Sequence, residues 1–206
     1  NNKLVSSSTL NFNKEIAPKH TVGVLVGWEA ESNKFDFQRA SGTNLPNSSL
    51  HTVATAGKLD ATAYYSGNAM LSLLSRAEYN YDNKYYVSGS YRRDGSSKLG
   101  PANRWGNFYS VAGSWRIDKE EFMKNISLIS NLRLRGSYGV NGTLPSSNYG
   151  WRSLSTYTNK YMEQPGGAVS SIADPLLSWE TSFTSNIALE FGLLDQRISG
   201  TVEYFN

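Results

Sequence analysis

Apolar and polar residues alternate with a period of two over about eight separate stretches, which restricts the chain to antiparallel strands with one greasy and one wet face. The second stretch is the clearest. His20, Val22, Val24, Val26, Trp28 and Ala30 share one side, while Thr21, Gly23, Gly27, Glu29 and Glu31 share the other. The first, about 3–13, groups Leu4, Leu10 and Phe12, and the others span about 70–81, 84–93, 107–117, 131–141, 178–192 and from Arg197 onward. Strands of about 10–14 residues exceed the five or six or so usual in soluble sheets.

Composition agrees with that geometry. Only 39% of residues are hydrophobic and 18% charged, while 13% are aromatic, and Ser, Thr, Asn and Gly fill the remainder. An average soluble domain carries more of the first two classes. Small polar groups suit the wet side of a strand whose other side meets hydrocarbon. No uninterrupted apolar run approaches the roughly 18 residues of a membrane-crossing helix, so any span must be a strand.

The connections sort by length. Tight turns are expected around Lys14–Lys19, at Asp82-Asn83 and at Leu194-Asp195-Gln196, and long loops over 32–69, 94–106 and 142–177. Residues 118–130 are intermediate and are read as holding one capped helical turn, with Glu120-Glu121 at its start. Short turns at one end and long loops at the other mark a transmembrane barrel. Aromatics sort the same way: Phe12, Tyr81, Tyr85, Trp115 and Phe191 near the short-turn end, Trp28, Tyr91, Tyr109 and Trp179 near the long-loop end. Two such belts suit the two water interfaces of a bilayer. A lipid-facing sheet must also close, because unpaired backbone groups in hydrocarbon cost several kcal/mol each. The charges Glu29, Arg76, Arg133, Arg135 and Glu190 fall on the polar sides, so the lumen they line is wet or plugged, as in a large barrel.

Other functions find little support. The net charge of +3 is scattered, without the basic stripe of a nucleic-acid binder; the densest basic spot, Arg92-Arg93, reads as solvated. There is no cysteine, and His20 and His51 lack a metal-ligand spacing. Gly95-Ser96-Ser97-Lys98 lacks the spacing of a phosphate loop and reads as a turn. No catalytic residue, metal or cofactor is expected, and hence no enzyme. Six aromatics, Tyr64, Tyr65, Tyr149, Trp151, Tyr157 and Tyr161, fall in the long loops. They either stack on a ligand or pack the loops against one another or a partner. A soluble β-sandwich remains open on alternation alone, as does a surface adhesin or binding module on the same scaffold.

Four segments sharpen the reading. They are Asp82-Asn83-Lys84-Tyr85-Tyr86-Val87-Ser88-Gly89-Ser90-Tyr91-Arg92-Arg93-Asp94-Gly95-Ser96-Ser97, Asn103 to Ile117 with Arg104-Trp105-Gly106-Asn107-Phe108-Tyr109, Leu132-Arg133-Leu134-Arg135-Gly136-Ser137-Tyr138-Gly139-Val140-Asn141-Gly142, and Leu177-Ser178-Trp179-Glu180-Thr181. In order, they resemble the SusC/RagA family of TonB-linked outer-membrane transporters of Bacteroidetes. The resemblance implies an all-β, antiparallel barrel of about 22 strands closed by a plug. It also implies a SusD-type surface lipoprotein at the long loops, energy from TonB, and import of oligosaccharides or peptides across the outer membrane. Residues 1–206 are then expected to be a partial barrel, with the plug and the TonB-contacting segment outside them.

Overall fold

The computed structural model of the chain describes residues 1–162 and 164–206, and the side chains of all of these except 158–161 and 165. Ten strands follow one another: β1 (Asn2–Ala17), β2 (His20–Thr43), β3 (Lys58–Tyr81), β4 (Tyr85–Ser96), β5 (Trp105–Arg116), β6 (Ile129–Thr143), β7 (Leu154–Tyr161), β8 (Gln164–Ser171), β9 (Glu180–Leu193) and β10 (Ile198–Phe205). Eight form one antiparallel meander in the order β1-β2-β3-β4-β5-β6-β9-β10, and β7 and β8 form a separate hairpin within the β6–β9 connection.

The register makes the alternation a property of the whole sheet. Directly opposed residues share a face, and rows such as Ser8, Trp28, Leu73, Arg93 and Asn107 run across five strands. One face collects Leu10, Val24, Val26, Trp28, Val87, Val111, Ile187 and Val202, none of them covered by a second sheet; Val26 is 45% and Val111 50% exposed. Among the described residues the buried apolar side chains are only Leu99, Phe108, Val140 and Ala188. A soluble sandwich would bury the Val22–Trp28 side, whereas Val24, Val26 and Trp28 are exposed in this sheet.

At one rim the turns are tight. Asp82 and Asn83 both have positive φ, 51° and 52°, giving the primed turn whose twist matches an antiparallel hairpin. Lys84 N–H donates back to the Tyr81 carbonyl at 2.8 Å. Three consecutive residues, Leu194, Asp195 and Gln196, turn the β9–β10 corner in the left-handed region.

Three expectations need correction. The segment 32–69 is not a loop: β2 runs on to Thr43 and β3 begins at Lys58, so Tyr64 and Tyr65 sit on β3. Their ladder continues because each strand completes the other's backbone hydrogen bonds, whatever its faces carry. The segment 142–177 likewise contains β7 and β8. Between β5 and β6 there are two short 3-10 turns, Ile117–Lys119 and Glu121–Met123, neither with a side-chain cap. The two acids expected at the start of the helical turn are engaged otherwise: Glu120 accepts from Tyr85 Oη at 2.5 Å and Trp115 Nε1 at 3.0 Å, and Glu121 pairs with Lys124 at 2.7 Å.

Candidate functional site

The polar face is concave. Side chains from Asn13 on β1 through Asn186 on β9 line one recess of about 540 Å³, so the sheet curls around it. Arg76, Glu78, Arg133 and Arg135 project into it. Arg135 Nε lies 2.9 Å from Glu190 Oε1, and its Nη2 lies 3.5 Å from Glu203 Oε1, which also accepts from Asn186. Arg76 pairs with Glu78 two residues along the same face. Arg133 is different. It lies directly opposite Glu190, yet its guanidinium donates to Ser114 Oγ at 3.0 and 3.1 Å and leans over the Tyr86 ring. Among the described residues no carboxylate neutralises it.

Nearer the long loops, Arg92 binds Asp94 through Nε at 2.7 and 2.8 Å and Ser72 Oγ through Nη2 at 2.9 Å. Arg92 is not simply solvated. It is instead part of a half-buried ionic cluster, since Asp94 and Ser72 are themselves buried. Arg92 and Asp94 stand two apart on one face of a strand, which is the spacing that could have revealed the pair. Glu29, opposite Ser72 on the same face, has no ion-pair partner among the described residues.

On the apolar face, a ladder of rings follows the tight-turn rim. His20 and Tyr81 lie 4.8 Å apart, Tyr81 and Tyr85 6.1 Å, and Tyr85 and Trp115 6.4 Å. Phe12 and Phe191 share that face. Trp28, Tyr91 and Tyr109 stand farther along it, with Tyr91 opposite Tyr109. Trp179 departs from its expected belt position. Its ring meets Phe108 edge-on at 5.1 Å and its Nε1 donates to the Arg104 carbonyl at 3.2 Å. It plugs the gap between strand tops that Gly106 and Gly142 leave open, where any Cβ would collide with the Phe108 ring.

The long loops bind β3 and one another. Tyr149 Oη accepts from Gly67 N–H at 2.9 Å, Asn148 bridges Ser66 and Asn68, and Trp151 Nε1 donates to the Ser97 carbonyl at 3.2 Å. Lys98 Nζ reaches the Pro145 carbonyl at 3.1 Å, above the fully buried Leu99. Two of the loop aromatics thus spend their polar tips on loop packing. Tyr64 stacks with Phe37 at 5.0 Å, whereas Tyr65 and Tyr157 are largely exposed, at 76% and 74%. The side chain of Tyr161 lies outside the described residues.

Residues 2–206 match the family described as TonB dependent receptor-like, beta-barrel. The chain belongs to the TonB-dependent receptor β-barrel family. TonB-dependent receptor P39 of Formosa agariphila is 30% identical over 95% of the chain, which covers 19% of that protein. TonB-dependent receptor SusC of Bacteroides thetaiotaomicron is 34% identical over 71% of the chain, covering 15% of its own length. A solved structure titled as the RagAB peptide transporter superposes on 98% of the chain with a TM-score of 0.92 and 29% identity, the match taking in 23% of that chain. The chain therefore spans about a fifth of the length of these relatives.

As a segment of a TonB-dependent receptor barrel, the sheet has a hydrocarbon side and a wet side. The wet side carries guanidinium and carboxylate groups and the loops carry rings, all groups suited to noncovalent contact. Among the described residues no group of three His, Asp or Glu is gathered for a metal ion.

Proposed function

We propose that this chain forms wall, lumen lining and surface loops of an outer-membrane receptor that imports oligosaccharides or peptides. In this reading a SusD-type lipoprotein covers the loops, TonB supplies energy through another part of the protein, and further strands with a plug close the sheet. One observation carries it: the same strands present uncovered aliphatic residues outward and paired charges around a curved recess inward. Similarity to SusC and to the RagAB peptide transporter supports import and a partner subunit.

Within that reading Glu29, Arg76, Arg133, Arg135 and Glu190 face the passage. Arg133, with no carboxylate partner among the described residues, is the group best suited to a ligand or plug acid; a charge-assisted hydrogen bond there contributes about 1.5–3 kcal/mol. Tyr65 and Tyr157 offer rings to ligand or lid. Phe12, Trp28, Tyr81, Tyr85, Tyr91, Tyr109, Trp115 and Phe191 anchor the wall at the two interfaces.

The test uses the full-length receptor in cells. Arg135→Glu puts a third carboxylate beside Glu190 and Glu203, and uptake is expected to fall while heat-modifiable, membrane-inserted protein stays at wild-type level. Loss of insertion would count against a lumenal role. Growth of a deletion strain on a panel of glycans and peptides, restored by the intact gene, identifies the substrate class. For the loops, Trp151→Ala with Tyr157→Ala should reduce uptake or lipoprotein association, and no change in either would remove them from the proposed site.

A further inference from the structure

Adjacent residues of a strand point to opposite faces, so Arg92 and Arg93 part company. Arg92 turns inward to Asp94. Arg93 turns to the hydrocarbon side, in the row of Trp28 and Leu73, where it is exposed and has no hydrogen bond or ion pair among the described residues. An unpaired guanidinium there is tolerable only near an interface. From Trp115, in the turn-side belt, to Trp105 along β5 is about 34 Å of strand, or about 26 Å along the bilayer normal at a tilt of about 40°. The apolar band of such barrels is about 25 Å tall. Arg93 itself lies across from Asn107, about 27 Å of strand or about 21 Å along the normal from Trp115, and its long side chain carries the guanidinium up over Trp105 at the outer interface, level with lipid headgroups.

The surroundings are organised. Gly95 lies opposite Trp105, and any Cβ on it would stand 2.8 Å from the indole, so the glycine is what lets the ring lie flat on the sheet. The Arg93 guanidinium rests over that ring, 5.2 Å from its centroid, which orients it while leaving its N–H groups free. Directly across from Arg93 is Asn107. Tyr91 Oη donates to Asn107 Oδ1 at 2.7 Å, which turns the amide NH2 away from the tyrosine and leaves it free to donate. A shelved cation and an oriented amide donor thus stand directly across from each other on one face.

We propose that Arg93, Asn107 and Trp105 form a binding site on the outside of the barrel for the phosphate headgroup of an outer-leaflet lipid. A guanidinium suits phosphate because its fixed fork matches two of its oxygens. The site rests on the assignment of this face to lipid and is independent of what the lumen carries.

The test takes the full-length receptor purified in mild detergent, exposed to mixed micelles of that detergent with lipid A or with lipid A stripped of phosphate and no other phospholipid, with retained lipid counted by native mass spectrometry. Wild-type protein should retain phosphorylated lipid A, Arg93→Gln about tenfold less, and Arg93→Lys an intermediate amount. Tyr91→Phe, which frees the Asn107 amide to turn, and Gly95→Ala, which lifts the indole, should each lower retention two- to threefold with the charge intact. Dephosphorylated lipid A should bind wild type as weakly as lipid A binds Arg93→Gln. Equal retention by wild type and Arg93→Gln, both heat-modifiable, overturns the proposal. So does full displacement by millimolar inorganic phosphate, which would mark a free-ion site. Substrate uptake by Arg93→Gln should stay at the wild-type rate, so failure of this site and failure of the import reading are told apart.

Discussion

Strands β2 and β3 are one hairpin in two environments. From His20 to Lys34 and Gly67 to Tyr81 they lie between β1 and β4; beyond that, 35–43 and 58–66 pair only with each other and stand clear of the wall. The register never slips, yet the residue pattern changes. In the wall, Val22, Val24, Val26 and Trp28 form the outward side. Above it the same side carries Lys34, Asp36 and Gln38, and the rings move to the other side as Phe35, Phe37 and Tyr64, stacked on one another. The bilayer, not the strand, imposes the alternation. Once both faces meet water, apolar residues gather wherever they can cover one another.

The largest test of that difference is a charge placed on each part. Val24→Arg, in the hydrocarbon-facing row of β2, should destabilise the full barrel in lipid vesicles by as much as about 2–4 kcal/mol, whereas Gln38→Arg on the same side of β2 should change stability by less than about 0.5 kcal/mol. Urea unfolding followed by tryptophan fluorescence gives both values, and equal losses would break the distinction. Next comes the junction where wall meets loops. A Cβ at Gly142 would stand 2.1 Å from the Phe108 ring, so Gly142→Val should cost about 1–3 kcal/mol by overpacking, read in the same unfolding experiment.

A smaller effect separates the protruding hairpin from the wall. Phe37→Ala removes stacking with Tyr64 and Phe35 that is worth about 0.5–1.5 kcal/mol for such a pair. Amide exchange should quicken at 35–43 and 58–66 while 20–30 stays protected; faster exchange throughout would mean the two parts unfold as one.

The smallest effect lies at the opposite rim. Hydrogen bonds from Tyr85 and Trp115, with Lys84 nearby, hold the Glu120 carboxyl below its ordinary pKa. A carboxylate so lowered contributes stability that is fully present above the ordinary value and is lost as pH falls through the folded one. Acid titration of unfolding should show that loss for wild type below the ordinary carboxylate range and a flatter limb for Glu120→Gln. An unchanged limb would show that the clip does not link the β3–β4 turn to the β5–β6 connection.

How far each feature could be read in advance follows from the same physics. The eight wall strands were legible because lipid on one side and water on the other leave a mark on every second residue. The extensions of β2 and β3 and the β7–β8 hairpin were not, because neither lipid nor a core forces alternation there. Among the candidate site residues, Glu29, Arg76, Arg133, Arg135 and Glu190 fall on the polar face the pattern gave them. Their partners were hidden. Glu190 faces Arg133 in register but pairs diagonally with Arg135, and β6 reaches β9 only across an intervening hairpin.

Local order along the chain thus suffices for strand identity, for which side of each strand meets hydrocarbon, and for the opposed directions of Arg92 and Arg93, since a period of two needs no distant partner. Folding in three dimensions alone turned Trp179 inward onto Phe108, tied Tyr149 and Trp151 into the loop cap, laid the Trp105 ring over Gly95, and set the Arg133 guanidinium on Ser114 rather than on Glu190. Each of those outcomes depends on register between separate strands or on loops meeting across the sheet, and neither is written in the periodicity of any single segment.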